Sequence, residues 1–202
     1  MPSLPTPPPP ALIQAIAEHD GWLPFDAFMA LALYAPDWGY YSGDRRKFGT
    51  LPRSGSDFVT APEMSPHFGR ALAHQVAQAL AATGSTEVWE FGAGSGALAD
   101  QLLKGLAARG ATVSSYVIVE LSGSLAARQR ERLAAWGDRV QWLQALPERI
   151  EAVVIGNEVL DAMPVKLLKR SGGHWHERGV ALHEGQALVW RDRPTELRPP
   201  LP

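Results

Sequence analysis

The chain has 202 residues, of which 46% are apolar and 20% are charged, and its formal net charge at pH 7 is −2. This length and composition are typical of one globular domain, or of one domain with a sizeable extension. The near-neutral charge gives no electrostatic reason to expect nucleic acid or an anionic membrane as a partner. The absence of cysteine excludes disulfides and thiolate metal sites. The sequence has no membrane-length apolar run and no basic leader, so we expect a bacterial-type cytoplasmic protein without membrane insertion.

The N-terminal part of the sequence combines a proline-rich start with short helices. Six prolines fall within residues 1–10, which we expect to form a disordered tail. The apolar spacing that follows predicts two short helices. Residues 34–58 are rich in glycine, proline and aromatic side chains and are expected to form a long functional loop. Ser65 and Pro66 then supply the N-cap and first position of a longer helix. We therefore expect a helical extension over residues 11–83.

From Glu87 the sequence alternates between short apolar strands and amphipathic helices. This alternation predicts an α/β fold with a parallel sheet and right-handed crossovers. We expect a partial Rossmann-like domain with about four strands over residues 84–164. The predicted strands are Glu87–Phe91, Tyr116–Glu120, Val140–Trp142 and Ala152–Ile155. The predicted helices are Ala97–Ala108 and Ser124–Trp136.

After Pro164 the apolar period changes to two, which predicts a small antiparallel β meander over residues 165–193. This meander is a possible insertion on the substrate side. The last segment, residues 194–202, contains four prolines and is expected to be disordered. Three histidines of the meander have nearly metal-ligand spacing, but without cysteines or converging carboxylates we expect solvated strand faces. These histidines are His174, His176 and His183.

The glycine-rich segment 88–96, V-W-E-F-G-A-G-S-G, is the main indicator of function. A strand that leads into a glycine-rich turn at a helix N-terminus lets a nucleotide-like ligand approach the backbone. Gly92, Gly94 and Ala97 match the dinucleotide fingerprint G-x-G-x-x-G/A. Glu90 and the glycines equally match E-x-G-x-G-x-G, the first motif of class I S-adenosylmethionine (SAM) methyltransferases.

Acidic and aromatic residues at the strand ends help to distinguish the two ligands. A carboxylate at the position of Glu90 is costly without a partner. SAM offers an ammonium and a sulfonium, whereas a pyrophosphate would repel Glu90; a Lys or Arg from a neighbouring strand is the alternative partner. Glu120 is placed to accept hydrogen bonds from ribose hydroxyls, which fits SAM and NAD equally. The alternative is that Glu120 is a solvated glutamate at the end of a strand. Trp142 and Leu143 lie where an adenine would stack, with core packing as an equal alternative.

Two longer stretches resemble a known family. Residues 34–69 contain Y-A-P-D-W-G-Y-Y, K-F-G and S-D-F-V-T-A-P-E-M-S-P-H-F-G, and residues 156–165 read G-N-E-V-L-D-A-M-P-V. With E-F-G-A-G-S-G and I-V-E-L-S (residues 118–122), they resemble the MidA-like SAM-dependent methyltransferases. That family includes the mitochondrial complex I assembly factor that dimethylates an arginine of a core subunit. The resemblance covers about residues 11–191, with G-S-D-F at residues 55–58 where the family usually has G-D-F. The family's chains continue through further strands and helices, so this chain looks C-terminally truncated.

The resemblance implies SAM as cofactor and a protein substrate, with arginine as the expected methyl acceptor and a link to respiratory complex assembly. Methyl transfer from a sulfonium is an in-line displacement that depends on positioning and exclusion of water. A planar guanidinium must be oriented, and relieved of a proton, by carboxylates. By analogy with arginine methyltransferases, Glu158, helped by Asp161, is expected to hold the acceptor, and Asn157 to line the reaction centre. The alternative is that Asn157 caps a helical turn, with both acids near its positive end.

Residues of the same motifs are expected to hold the cofactor. The motif before the sheet is expected to fold over the methionine end of SAM as a lid, with Phe58 and Tyr41 excluding water. The alternative is that it only packs the N-terminal helices onto the sheet. The full set of expected cofactor-binding residues is Glu90, Gly92, Gly94, Gly96, Glu120, Leu121, Ser122, Trp142, Leu143, Asp57, Thr60, Pro62 and Glu63.

Two rival functions are compatible with parts of the sequence. A shortened sheet would expose an unpaired, adhesive strand edge, which would suit a non-catalytic binding or assembly module that self-associates. An NAD(P)-dependent oxidoreductase fits the match at Gly92, Gly94 and Ala97. Glu90 weakens that second reading, as does the absence of a recognisable catalytic Tyr-Lys or His-Asp pair near the strand ends.

Overall fold

The computed structural model describes residues 7–36, 38–41, 59–184 and 187–200. The chain divides into two compact units. One unit consists of Met1–Gly43 with Met163–Pro202, and the other consists of Asp44–Ala162. Asp57 and Phe58, two residues of the expected lid, lie outside the described residues.

The described residues form six α-helices and eight strands, numbered in chain order. The helices are α1 (Pro10–Glu18), α2 (Phe25–Tyr34), α3 (Ala61–Met64), α4 (Pro66–Thr83), α5 (Ala97–Ala107) and α6 (Gly123–Arg132). The strands are β1 (Leu23–Pro24), β2 (Glu87–Phe91), β3 (Ser115–Val119), β4 (Val140–Leu143), β5 (Val153–Gly156), β6 (Leu167–Ser171), β7 (His174–His183) and β8 (Ala187–Pro194). Short 3-10 segments cover Ala134–Arg139 and Leu160–Ala162.

The second unit contains a parallel sheet with the strand order β4-β3-β2-β5. The predicted α/β fold class with four parallel strands is confirmed. The chain runs from β2 outward through β3 to β4 and then returns to place β5 on the other side of β2. The order of strands therefore reverses between β2 and β5. In open α/β sheets, ligands bind outside the carboxyl ends of the strands at such a switch point.

Helices α4 and α5 supply most of the apolar side chains that pack with this sheet. Helix α4 begins as the sequence predicts, because the Ser65 side chain accepts a hydrogen bond from the backbone N–H of His67 at 3.1 Å. It ends at Gly84, whose φ of 69° is left-handed. Its buried face packs with α5 and with Val88 and Tyr116 of the sheet.

The first unit contains the predicted antiparallel meander. Strand β7 pairs with β8 along one side, and with β6 and then the short β1 along the other. Strand β1 was not predicted, because two residues are too few to show a periodic pattern. Helices α1 and α2 belong to this unit, and their apolar residues pack around Leu23 and Val180. The predicted helical extension is thus distributed over both units, with α3 and α4 belonging to the other one.

Candidate functional site

The glycine-rich turn follows β2 and leads into α5. Gly92, Gly94 and Gly96 have φ values of 62°, 55° and 79°, a region that side chains with a Cβ rarely adopt. A Cβ on Gly92 would also lie 2.8 Å from Cγ2 of Val159. Gly96 occupies the N-cap of α5, so the turn presents bare backbone at a helix N-terminus. This is the backbone conformation that the sequence motif predicts for a ligand cradle.

Glu90 lies two residues before the turn and is 2% exposed. Its Oε2 accepts a hydrogen bond of 2.6 Å from the Tyr116 hydroxyl on the neighbouring strand β3. Burial raises the pKa of Glu90 to about 7, against the lowering effect of this hydrogen bond. The partner is therefore a tyrosine, and not the Lys or Arg that the sequence left open. Contact between Glu90 and the SAM ammonium stays a prediction.

Glu120 directly follows β3 and is 7% exposed. Its Oε1 accepts from the backbone N–H of Ser122 at 2.9 Å, and its Oε2 accepts from Nε2 of Gln129 at 2.9 Å. Burial raises its pKa, while bonds from Ser122, Gln129 and the backbone of Leu121 act in the opposite direction. A carboxylate has about four acceptor positions, so these bonds leave capacity for a ribose hydroxyl.

Leu121 and Ser122 differ in their roles around this carboxylate. Leu121 is 59% exposed, so an apolar surface is available beside Glu120. Ser122 is the N-cap of α6, and its Oγ accepts from the backbone N–H of Leu125. Ser122 therefore orients Glu120 and starts the helix at the same time. Direct contact of either residue with SAM stays a prediction.

Trp142 and Leu143 end the next strand, β4. The indole N–H of Trp142 donates to Oε1 of Gln129 at 3.0 Å, and the Arg130 guanidinium lies 4.9 Å from the centre of the ring. Trp142 also packs against the main apolar cluster. The carbonyl of Leu143 accepts from the backbone N–H of Glu120 at 3.0 Å. Trp142 therefore has the packing role that the sequence allowed; its stacking on adenine stays a prediction.

Gln129 of α6 was missed by the sequence reasoning, although its side chain contacts several predicted site residues. It is fully buried, and its amide also donates to the carbonyl oxygen of Gly94 at 2.9 Å. A signal was available in the sequence. Leu125, Ala126 and Leu133 define the buried face of this charged segment, and Gln129 falls on the same face. A neutral polar residue at such a position indicates a buried hydrogen-bond network.

Helix α3, part of the expected lid motif, is anchored to the glycine-rich turn. The side chain of Glu63 is 8% exposed and accepts a hydrogen bond from the Ser95 hydroxyl. Arg132 donates to the same hydroxyl at 2.8 Å and lies 3.6 Å from the Glu63 carboxylate. These contacts join the motif before the sheet to the turn.

Two further residues of the expected lid motif have structural partners. The carbonyl oxygen of Pro62 accepts from the Gln101 side chain at 2.8 Å, which ties α3 to α5. Thr60 is the N-cap of α3, and its carbonyl oxygen accepts a hydrogen bond from the backbone N–H of Glu63 at 3.0 Å. Direct contact of Thr60, Pro62 or Glu63 with SAM stays a prediction.

The expected catalytic residues follow β5 at the switch point. Glu158 is exposed and has a φ of 52°, an uncommon conformation for a residue with a side chain. The Asn157 amide donates to its carboxylate at 3.4 Å, and Asp161 is exposed within a 3-10 segment. Val159 covers Gly92, so this loop lies against the glycine-rich turn. The structure thus brings the expected acceptor site beside the expected cofactor site.

Comparison with known proteins decides the family. A family model described as an S-adenosyl-L-methionine-dependent methyltransferase matches residues 71–201. The chain belongs to this family. The relatives that match it are those expected of a MidA-like methyltransferase, so the predicted family is confirmed, and SAM, the predicted cofactor, is the cofactor named in the family's description.

Three relatives illustrate the similarity of this methyltransferase chain to known proteins. The mitochondrial protein arginine methyltransferase NDUFAF7 homolog of Caenorhabditis elegans is 30% identical over 77% of the chain and 42% of its own length. A Burkholderia thailandensis protein with bound S-adenosyl-homocysteine is 51% identical, with a TM-score of 0.81 over 97% of this chain and 54% of its own. A second B. thailandensis structure is 48% identical, with a TM-score of 0.74 over 96% and 52%.

The methyltransferase chain spans about half the length of the relatives that it matches. The matches favour neither the NAD(P)-dependent oxidoreductase nor the non-catalytic module among the rival readings. Among the described residues, no helix is long and apolar enough to cross a membrane. In the same part of the chain, no group of three or more His, Cys, Asp or Glu side chains is arranged to hold a metal ion.

Proposed function

We propose that this chain binds SAM and that the protein transfers its methyl group to an arginine nitrogen of a protein substrate. The observation that carries the proposal is the pairing of two features at adjacent strand ends. The positive-φ glycines follow β2, and the buried, hydrogen-bonded Glu120 follows β3. Together they fit a nucleoside whose ribose hydroxyls need an acceptor.

The residues around the turn fit SAM in particular. SAM supplies an activated methyl group on a cationic sulfonium. The glycines allow the ligand to approach the backbone, and Glu120 accepts from the ribose. Exposed Leu121 provides an apolar surface beside that carboxylate. The anchored helix α3 limits the freedom of the turn through Glu63 and Ser95. Each of these contributions binds or orients, as an in-line displacement requires.

Arginine is the acceptor that the loop after β5 supports. Glu158 and Asp161 are exposed carboxylates close in sequence at the carboxyl end of the sheet. Paired carboxylates hold a guanidinium through bidentate hydrogen bonds, and one of them can accept its proton as a general base when the methyl group is transferred. The curated relative's name, a protein arginine methyltransferase, supports the same assignment. A role in assembling a respiratory complex rests on the family resemblance.

The open edge of β5 supports a further property, self-association through that strand. In the described residues β5 pairs only with β2, and Val154 is 50% exposed. Unpaired edge groups can pair with another chain. Light scattering after size exclusion tests this, with Val154→Lys expected to shift an oligomer towards monomer. A wild-type chain that is monomeric at high concentration would contradict it.

Isothermal titration with S-adenosylhomocysteine tests the proposed cofactor role. We expect wild-type binding, and we expect Glu120→Ala to weaken it by roughly one to two orders of magnitude, as a hydrogen bond to a charged group implies. Glu151→Gln changes an exposed carboxylate outside the proposed site and is a control that should bind S-adenosylhomocysteine normally. Equal affinity of the Glu120→Ala variant would remove Glu120 from the site, and binding of NADH instead would overturn the assignment.

A further inference from the structure

Gln129 is the most fully buried polar residue of α6. This helix is otherwise rich in exposed charged residues, and its sequence is G-S-L-A-A-R-Q-R-E-R. Gln129 is 0% exposed and lies on the face that carries Leu125 and Ala126. Burial of an amide costs free energy unless its donors and acceptor find partners. A buried amide on an otherwise apolar helix face therefore indicates specific hydrogen-bond partners.

The Gln129 amide makes three hydrogen bonds with good geometry. Its Nε2 donates to the carbonyl oxygen of Gly94 at 2.9 Å and to Oε2 of Glu120 at 2.9 Å. Its Oε1 accepts from the indole N–H of Trp142 at 3.0 Å. An indole nitrogen only donates, and a carboxylate or carbonyl oxygen only accepts, so one orientation of the amide satisfies all three partners. The side chain is therefore fixed in direction.

These three partners come from three adjacent strands. Gly94 lies in the turn after β2, Glu120 follows β3, and Trp142 lies near the end of β4. The third glycine of the turn is also close, since a Cβ on Gly96 would lie 3.5 Å from Cγ of Gln129. Gln129 thus contacts the glycine-rich turn, the proposed ribose acceptor Glu120, and Trp142, on which the adenine is proposed to stack.

We infer that Gln129 is a positioning residue for the cofactor, which aligns the Glu120 carboxylate with the glycine-rich turn. This inference rests on the proposed SAM-binding function. The amide acts through its neighbours and need not touch SAM. Its donor to Glu120 fixes the plane of the carboxylate, and its donor to Gly94 fixes the direction of a peptide group in the turn. A neutral amide is required, because a carboxylate at this position would lack both donors and would repel Glu120.

A double-mutant cycle tests the inference, with S-adenosylhomocysteine as the probe and titration calorimetry as the assay. The variants are Gln129→Met, Glu120→Ala and their combination, all in the 202-residue chain. Methionine keeps the length and apolar stem of the side chain and removes its hydrogen bonds. We expect Gln129→Met to weaken binding roughly tenfold in the wild-type background. In the Glu120→Ala background we expect a loss below about threefold, because the carboxylate that Gln129 orients is gone.

Controls separate positioning from general damage. Gln78→Met changes an exposed glutamine on α4 that forms a hydrogen bond with His74, and this variant should bind normally. If Gln129→Met does not melt cooperatively, Gln129→Glu replaces it in the cycle, since glutamate keeps the length of the side chain and an acceptor for the Trp142 indole N–H and removes both donors. That variant should also weaken binding about tenfold, and less in the Glu120→Ala background.

The outcomes distinguish this inference from the function on which it rests. Unchanged affinity of a folded Gln129→Met chain, or equal losses in the two backgrounds, would overturn the positioning role. Failure of the folded wild-type chain to bind S-adenosylhomocysteine would instead overturn the proposed cofactor function. A tenfold loss of affinity in Gln129→Met that falls below about threefold in the Glu120→Ala background supports both the positioning role and the cofactor function.

Discussion

The buried carboxyl of Glu90 makes the stability of the folded chain depend on pH. The unfolded chain releases the proton of this carboxyl near its ordinary pKa of 4.5, whereas the folded chain retains it up to about pH 7. Between these two values the folded state holds a proton that the unfolded state has lost. The free energy of unfolding must therefore fall as the pH rises through this interval. One pKa unit corresponds to about 1.4 kcal/mol, so the total penalty is about 3 kcal/mol.

Glu90→Gln removes this penalty while keeping the shape of the side chain and an oxygen that accepts from the Tyr116 hydroxyl. We expect the variant and the wild type to have similar free energies of unfolding near pH 4.5. At pH 8 we expect the variant to be more stable by up to about 3 kcal/mol. Urea denaturation followed by circular dichroism at pH 4.5, 6 and 8 measures both curves. Other titrating groups are common to both proteins, so their effects cancel in the difference.

Two control variants change the hydrogen-bond partner of Glu90 and an exposed carboxylate outside the proposed site. Tyr116→Phe removes the hydroxyl that donates to Glu90, so its destabilisation should be larger at pH 8, where the carboxyl is ionised, than at pH 4.5. Glu151→Gln changes a side chain that is 72% exposed and should leave the pH dependence as in wild type. A difference in the free energy of unfolding between Glu90→Gln and wild type that is constant across pH would show that the pKa of Glu90 is not raised in the folded chain.

Two further predictions concern the loops around the proposed site. Glu158→Gly should raise the free energy of unfolding by about 1 kcal/mol, because glycine adopts the positive φ of this position without strain. The same variant should transfer less methyl group in a radiolabel assay with SAM. Unchanged transfer would show that Glu158 is not part of the reaction centre. Ser95→Ala should release Glu63 from the glycine-rich turn and weaken S-adenosylhomocysteine binding a few-fold, with a larger hydrogen–deuterium exchange rate in α3. Normal exchange in α3 would show that the serine does not anchor it.

Local patterns were enough to predict most elements of the parallel sheet. Strand β2 covers Glu87–Phe91, as predicted, because an apolar run meets glycines at its end. The cap at Ser65 was equally readable, since the N-cap and proline positions are local signals. The class of fold and the conformation of the turn follow from such short-range rules.

Contacts between residues far apart in the sequence could not be predicted from local patterns. The partner of Glu90 is Tyr116, which reaches it from the next strand of the sheet, and the strand register that brings them together has no local signature. The sequence pattern also did not show that α1 and α2 pack with the strands of the meander. Gln129 lies between these cases, because its buried position was visible in the helical pattern but its three partners were not.

A crystal structure of the chain with S-adenosylhomocysteine would show whether the glycine-rich turn and Glu120 form one cofactor site. We expect a ribose hydroxyl within about 3.2 Å of the Glu120 carboxylate, with the ligand against the backbone of Gly92–Gly96. We also expect the Gln129 bonds to Glu120 and Gly94 to be retained in the complex. A ligand bound elsewhere, or a ribose that makes no contact with Glu120, would show that these residues do not form the cofactor site.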